Sequence, residues 1–272
     1  MPLNKLIIDS WNAFMSLQSM PCVIDDAIPI LWFGDIDGYC RSPIRIVTVG
    51  LNPSNKEFQE KDCDPIMLHT RFPDAAGLHG KKNLTPADIM LYRQAMNEYF
   101  KYNPYKNWFQ WHESALNDLD ASYGGKMLKQ GCKCKKTALH IDIETAIATN
   151  PTWGGLCKDC RATIQAQCNK MFNGLIAVLD PQVIVFALDQ NTAKTQFNVY
   201  KNGCDTNLSY DTPPAYIRTY PNVNGRTLIW TRNMNGLPWG GMKLSDPSKS
   251  ATLAKVASYL KSVYTNVKPI KI

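Results

Sequence analysis

The sequence lacks any apolar run that approaches the ~20 residues needed to cross a bilayer, and it lacks internal repeats and low-complexity tracts. Its first residues carry an acid at Asp9 and no basic region followed by an apolar stretch, so they do not resemble a signal peptide. Hydrophobic residues make up 44% of the chain, which argues against disorder. We therefore expect a soluble, cytoplasmic monomer that folds as one domain over residues 1–272, with 1–28 as an N-terminal helical extension.

Acidic residues are outnumbered by basic ones, 23 to 30, which gives a net charge of +7. This charge suits a polyanionic partner, but many proteins that never bind nucleic acid share it. Residues 126–136 contain five lysines and no acid. Lys133 and Lys135 in this segment are candidates for contacts with DNA phosphates, although a solvated surface is the alternative explanation for such a run.

Short apolar runs at 44–49, 138–143, 183–188 and 228–231 predict strands. Residues 91–101, 108–119 and 161–179 have helical spacing, and a final helix is predicted to begin at Pro247, with Asp246 as its N-cap. Strands separated by helices favour an α/β fold: a mostly parallel central sheet of about four strands, flanked by helices on both faces. In such sheets ligands bind at the loops that leave the carboxyl ends of the strands. Residues 63–86 lack periodicity and are expected to form a loop or lid.

The first of these loops follows the strand at 44–49 and reads Gly50, Leu51, Asn52, Pro53, Ser54. Glycine allows the backbone to approach a ligand closely, and proline stiffens the turn that presents Asn52. An amide is no strong base, but it can hold a water in line with an electrophilic sugar carbon. A simple turn that closes the strand is the alternative.

Two further segments carry polar residues at strand ends. Period-two alternation puts His140, Asp142 and Glu144 on one face of their strand. The last strand leads into a glycine-containing loop that can hold a phosphate or a flipped nucleotide and fill the gap left in the base stack. Its candidate DNA contacts are Asn233, Asn235, Gly236, Leu237 and Trp239.

Together, the first and last loops resemble the uracil-DNA glycosylase superfamily. The first loop matches the GxNPx water-positioning motif of its mismatch-specific and single-strand-selective branches. The last loop is similar to the family's NPSGL-type intercalation loop, but it has Met234 and Asn235 where the family has proline and serine. Residues 99–109 and 138–156 resemble a bacterial and phage-associated subgroup of the same superfamily.

The resemblance implies a monofunctional DNA glycosylase that flips a base and hydrolyses its bond to deoxyribose, leaving an abasic site and using no cofactor in catalysis. Asn52 would position the water, and Leu51, His140 and an aromatic ring, Phe58 or else Trp153, would bind the base. Asp142 lies near the place where uracil-specific enzymes carry an Asn that reads the base edge. A carboxylate there accepts from the amino group of cytosine, although a catalytic carboxylate and a structural one are both alternatives.

The substrate expected is uracil or a modified cytosine, including the glucosylated hydroxymethylcytosine of phage DNA, which would indicate a role in antiviral defence. A nucleic-acid-binding module that has lost catalysis is the alternative function.

Nine cysteines, an odd number, argue against a complete disulfide framework. A CxC and a CxxC motif are formed by Cys132, Cys134, Cys157 and Cys160. These cysteines could hold structural zinc, could hold an iron–sulfur cluster as in another branch of the superfamily, or could be free thiols.

Overall fold

A computed structural model describes residues 2–25, 27–58, 71–199, 201–212, 215–233 and 247–272. Within these residues the helices flank a single seven-stranded sheet. The α-helices are α1 (Leu3–Leu17), α2 (Ile36–Arg41), α3 (Pro86–Glu98), α4 (Lys106–Asp118), α5 (Lys158–Cys168), α6 (Met171–Leu179), α7 (Gln190–Phe197) and α8 (Pro247–Val263). None of the helices in these ranges is long and apolar enough to cross a membrane.

The strands are β1 (Ile46–Gly50), β2 (Ala121–Ser122), β3 (Lys136–Asp142), β4 (Val183–Phe186), β5 (Tyr210–Thr212), β6 (Ala215–Val223) and β7 (Arg226–Asn233). They lie in the order β2-β3-β1-β4-β7-β6-β5. The first five strands in this order are parallel, and β6 and β5 are added antiparallel to them. The α/β class and the mostly parallel sheet are therefore confirmed.

The expected number of about four strands is too low. The four strands predicted from apolar runs are β1, β3, β4 and β7, which form the buried centre of the sheet. β2 was missed because two residues carry no pattern, and β5 and β6 because they mix polar and apolar residues. The turn between β6 and β7 is formed by Asn224 and Gly225, both with positive φ, as a two-residue hairpin requires.

The N-terminal segment packs into the protein rather than extending from it. Leu6, Ile7 and Trp11 on one face of α1 are buried, and the helix packs against α5 and α6. The single helix predicted over 161–179 is divided into α5 and α6 between Cys168 and Met171. α8 begins at Pro247 as predicted, whereas its expected N-cap Asp246 lies outside the described residues.

The parallel strands β1, β3, β4 and β7 all end at one edge of the sheet. The loops that follow β1, β3 and β4 therefore meet there, as the sequence predicted for a ligand site. Of the segment 63–86, expected to be a loop or lid, residues 63–70 lie outside the described ranges. The part that follows contains a short 3₁₀ helix (Pro73–Leu78), whose Ala75 and Leu78 are buried against α3.

Candidate active site

A cavity of about 380 Å³ opens at the carboxyl ends of β1, β3 and β4. Its size lies near the lower end of the range for small-molecule sites. The loop after β1, the end of β3, the start of α4 and a turn at 152–154 enclose it. Its aromatic walls are Phe33, Tyr105, Trp108, Phe109 and Trp153, and its polar groups come from Asn52, Ser54, Glu57, His140, Asp142 and Thr152.

The parallel register places Gly50 of β1 opposite Asp142 of β3, and both line the cavity. A Cβ atom at Gly50 would lie 2.5 Å from Oδ1 of Asp142 and 2.9 Å from Nε2 of His140. Only glycine fits this approach without displacing one of these side chains. Gly50 thus allows Asp142 and His140 to reach the cavity floor, where both side chains are almost fully buried.

Two hydrogen bonds link Tyr123, Thr48 and His140, and the His140 ring lies beside Asp142. The Tyr123 hydroxyl lies 2.5 Å from Oγ1 of Thr48, which lies 2.7 Å from Nδ1 of His140. Burial raises the pKa of Tyr123 well above its ordinary value, so the phenol keeps its proton. The Tyr123 phenol can therefore donate to Thr48, and the other ring nitrogen of His140, Nε2, lies 3.5 Å from Oδ1 of Asp142.

Glu57 is a second carboxyl group in the cavity, and no pattern in the sequence distinguishes it from other acidic residues. It ends the 3₁₀ helix Asn55–Glu57, is 2% exposed, and accepts a hydrogen bond from the Tyr99 hydroxyl at 2.5 Å. Burial raises its pKa to about 7; Arg71 and the Tyr99 bond oppose this rise, and the charge of Asp142 adds to it. Glu57 can therefore donate or accept a proton near neutral pH.

Asn52 lines the cavity but is held by its own neighbours. Its Nδ2 group donates to Oγ1 of Thr149 at 2.9 Å and to the carbonyl oxygen of Pro53 at 3.0 Å. Its Oδ1 atom accepts a hydrogen bond from the backbone N–H of Trp153 at 3.2 Å. The side chain thus joins the loop after β1 to the turn that carries Trp153. One lone pair of Oδ1 stays available for a water molecule.

Comparison with known proteins gives no family for this site. No described protein family matches the chain. A search of curated proteins also finds no match. The chemistry of the cavity is therefore argued from its own residues.

The residues expected to bind a base separate into two groups. Leu51, His140 and Trp153 line the cavity, and the Trp153 ring is supported by the short 3₁₀ helix Trp153–Gly155. Phe58 does not line it: the ring is fully buried and stacks on Phe72 at a centroid distance of 5.9 Å. The expectation that Phe58 stacks on a base is corrected, because the turn of 3₁₀ helix before it directs the ring into the core.

Two of the expected DNA contacts lie at the wrong end of the sheet for this cavity. Lys133 and Lys135 are exposed but precede β3, whereas His140 and Asp142 lie at its carboxyl end. The strand spans roughly 20 Å at about 3.3 Å per residue. These lysines are therefore not neighbours of the candidate site, and their contact with DNA phosphates stays a prediction.

The loop expected to intercalate begins at the correct edge. β7 is parallel to β4, so its last residue, Asn233, lies at the same edge of the sheet as the cavity. Asn235, Gly236, Leu237 and Trp239 lie outside the described residues. Their role remains a prediction.

The four cysteines expected as metal ligands do not come together. Cys132 and Cys134 precede β3, whereas Cys157 and Cys160 follow its carboxyl end at the start of α5. A tetrahedral site needs every sulfur about 2.3 Å from one ion, and a full strand separates these two pairs. The described residues contain no cluster of three or more His, Cys, Asp or Glu suited to a metal. In this structure the two pairs therefore do not form one four-cysteine site.

Proposed function

We propose that the protein is a monofunctional DNA glycosylase of uracil-DNA glycosylase-like fold. The observation that carries the proposal is the convergence of the loop around Asn52 with Asp142 and His140 in one aromatic-lined cavity at the carboxyl edge of the sheet. A flipped base needs a site of this kind, with flat apolar walls and polar groups at its edge. The net charge of +7 is compatible with DNA as partner.

In the proposed reaction the flipped base lies between aromatic rings of the cavity walls, which include Trp108 and Trp153. The bond to deoxyribose breaks with the base as leaving group, and positive charge develops on the sugar. The carboxylate of Asp142 stabilises that charge or reads the base edge. Oδ1 of Asn52 accepts from a water with its remaining lone pair and aligns it with the sugar carbon.

Glu57 adds a proton donor to this reaction. Its pKa of about 7 leaves a large protonated fraction at neutral pH. A protonated carboxyl group can donate to a ring nitrogen of the base and accept from an exocyclic amine. This combination matches the N3 and N4 groups of cytosine. Together with Asp142, this match favours a cytosine-derived base over uracil. Glucosylated hydroxymethylcytosine is one such base, and its release would indicate a role in antiviral defence.

A nucleic-acid-binding module without catalysis is the second candidate. The hydrogen bonds of Asn52 favour it, because an amide that joins two loops has a structural reason to be present. The two candidates make opposite predictions for base release and the same prediction for DNA binding.

The deciding experiment incubates the full chain with duplexes that contain uracil, a mismatch, glucosylated hydroxymethylcytosine or only normal bases. Alkali then cleaves any abasic site, and a gel locates the break. A glycosylase gives a break at the substituted position that depends on alkali and is absent from the normal duplex. A binding module shifts the duplexes in a native gel but produces no break on any of them.

A further inference from the structure

Cys157 and Cys160 form a close pair of thiols at the start of α5, apart from the proposed reaction. Their Sγ atoms lie 2.7 Å apart. Cys157 is exposed and is the N-cap of the eleven-residue helix, where its Sγ accepts the backbone N–H of Cys160 at 3.1 Å. Cys160 is half-buried and also hydrogen-bonds with Cys22. One sulfur is thus open to solvent and the other is shielded beneath it.

We propose that Cys157 and Cys160 are a redox-active dithiol that exchanges with low-molecular-weight disulfides of the glutathione type. The thiolate of Cys157 attacks one sulfur of the small disulfide, and the other sulfur leaves as a free thiol. Cys160 then loses its proton and attacks the sulfur of Cys157, which releases the second small thiol. In balance, the protein loses two protons and two electrons, and the small disulfide takes up both to become two thiols.

The electrostatics of the pair assign these two roles. The hydrogen bonds from the Cys160 thiol and backbone lower the pKa of Cys157. The same thiol contact, burial and Cys22 raise the pKa of Cys160 to about 12. A thiolate stabilised at a helix N-terminus beside a protonated partner is the arrangement in which the outer cysteine attacks and the inner one resolves.

The pair lies close to the cavity. Trp153 lines the cavity, and the turn of chain from Trp153 to Leu156 leads directly into Cys157. The dithiol is separate from the groups proposed for base excision, so its chemistry holds or fails independently of that proposal.

The test equilibrates the purified full chain with glutathione buffers of rising oxidised fraction, blocks free thiols by alkylation and maps disulfides by peptide mass spectrometry. The expected result is a Cys157–Cys160 disulfide that dithiothreitol reverses. Before oxidation, Cys157 should alkylate on the order of tenfold faster than Cys204, a half-buried cysteine near Tyr220 of β6.

Single substitutions separate attack from resolution. Cys160→Ser should accumulate a glutathione adduct on Cys157, whereas Cys157→Ser should form no such adduct on Cys160. The control Cys204→Ser should behave like the wild type. Equal adducts in the two variants, a bridge from Cys160 to Cys22 in the wild type, or a bound zinc ion that protects both thiols would each overturn the proposal.

Discussion

Replacement of Glu57 by glutamine should remove a pH dependence from the stability of the protein. Glutamine has nearly the same shape, and its carbonyl can still accept the hydrogen bond from Tyr99. The carboxyl group has an ordinary pKa of 4.5 and a pKa of about 7 in the folded protein, chiefly because it is buried. Since Glu57 is only 2% exposed, solvent screening does not reduce this effect appreciably.

The direction of this pH dependence is set by whether the unfolded or the folded state releases the Glu57 proton at lower pH. Below the ordinary pKa both states are protonated, and Glu57 contributes no difference. As the pH rises towards about 7, the unfolded chain loses its proton while the folded protein keeps it, so the free energy of unfolding falls. At about 1.4 kcal/mol per pKa unit, the wild type should lose about 3 kcal/mol across this window through Glu57 alone. The Glu57→Gln variant should not.

Denaturant unfolding gives the free energy of unfolding of each protein at about pH 5 and about pH 8. The difference in this free energy between variant and wild type should change between the two pH values. Glu113→Gln is the matched control, because Glu113 is also a buried carboxylate but lies outside the cavity, where it accepts from Ser122 and Tyr123. A change in pH dependence that both variants share would reflect the loss of any buried carboxyl group rather than of Glu57 itself. A Glu57→Gln curve that runs parallel to that of the wild type would refute the assignment of Glu57 as the titrating group.

Three further substitutions test the cavity. Asn52→Ala should slow excision by on the order of a hundredfold, because the water loses the group that aligns it; single-turnover kinetics measure this rate. The same substitution should lower the free energy of unfolding by roughly 1–3 kcal/mol, because the Asn52 hydrogen bonds join two loops; denaturant unfolding measures this loss. Gly50→Ala should cause a similar loss of excision by displacing Asp142. The control Gly203→Ala lies outside the cavity, and its added Cβ would come no closer than 3.9 Å to its nearest neighbour, a ring carbon of Tyr220, so it should stay close to wild type in the same assays. Asp142→Asn should shift preference from cytosine-derived bases towards uracil if Asp142 reads the base, and slow all substrates together if it acts in catalysis; paired oligonucleotides distinguish the two, and unchanged rates would contradict both.

The sequence predicted those parts of the fold whose signal is local. Apolar runs marked β1 and β4 because both faces of these strands are covered. Alternation placed His140 and Asp142 on one face of β3, and the structure brings both into the cavity. Neighbouring positions along a strand have a fixed geometry, which explains these correct predictions.

Features that depend on distant neighbours were not visible. In the sequence Glu57 resembles an ordinary surface acid. In the structure the hydroxyl of Tyr99, which belongs to a separate helical segment, donates a hydrogen bond to it. Phe58 follows Asn52 closely in sequence, but a single turn of 3₁₀ helix directs it into the core. The cysteine spacing likewise gave no sign that β3 separates the two pairs.

The central claim is that this cavity releases a base from DNA. Mass spectrometry of the small molecules set free from duplexes carrying uracil or glucosylated hydroxymethylcytosine tests it most directly, because it identifies the product itself. The account predicts an intact free base from at least one duplex with the wild type, the cytosine-derived base in preference, and a reduced or redirected yield with Asp142→Asn. Stable binding of every duplex by the wild-type protein with no base released from any of them would contradict it.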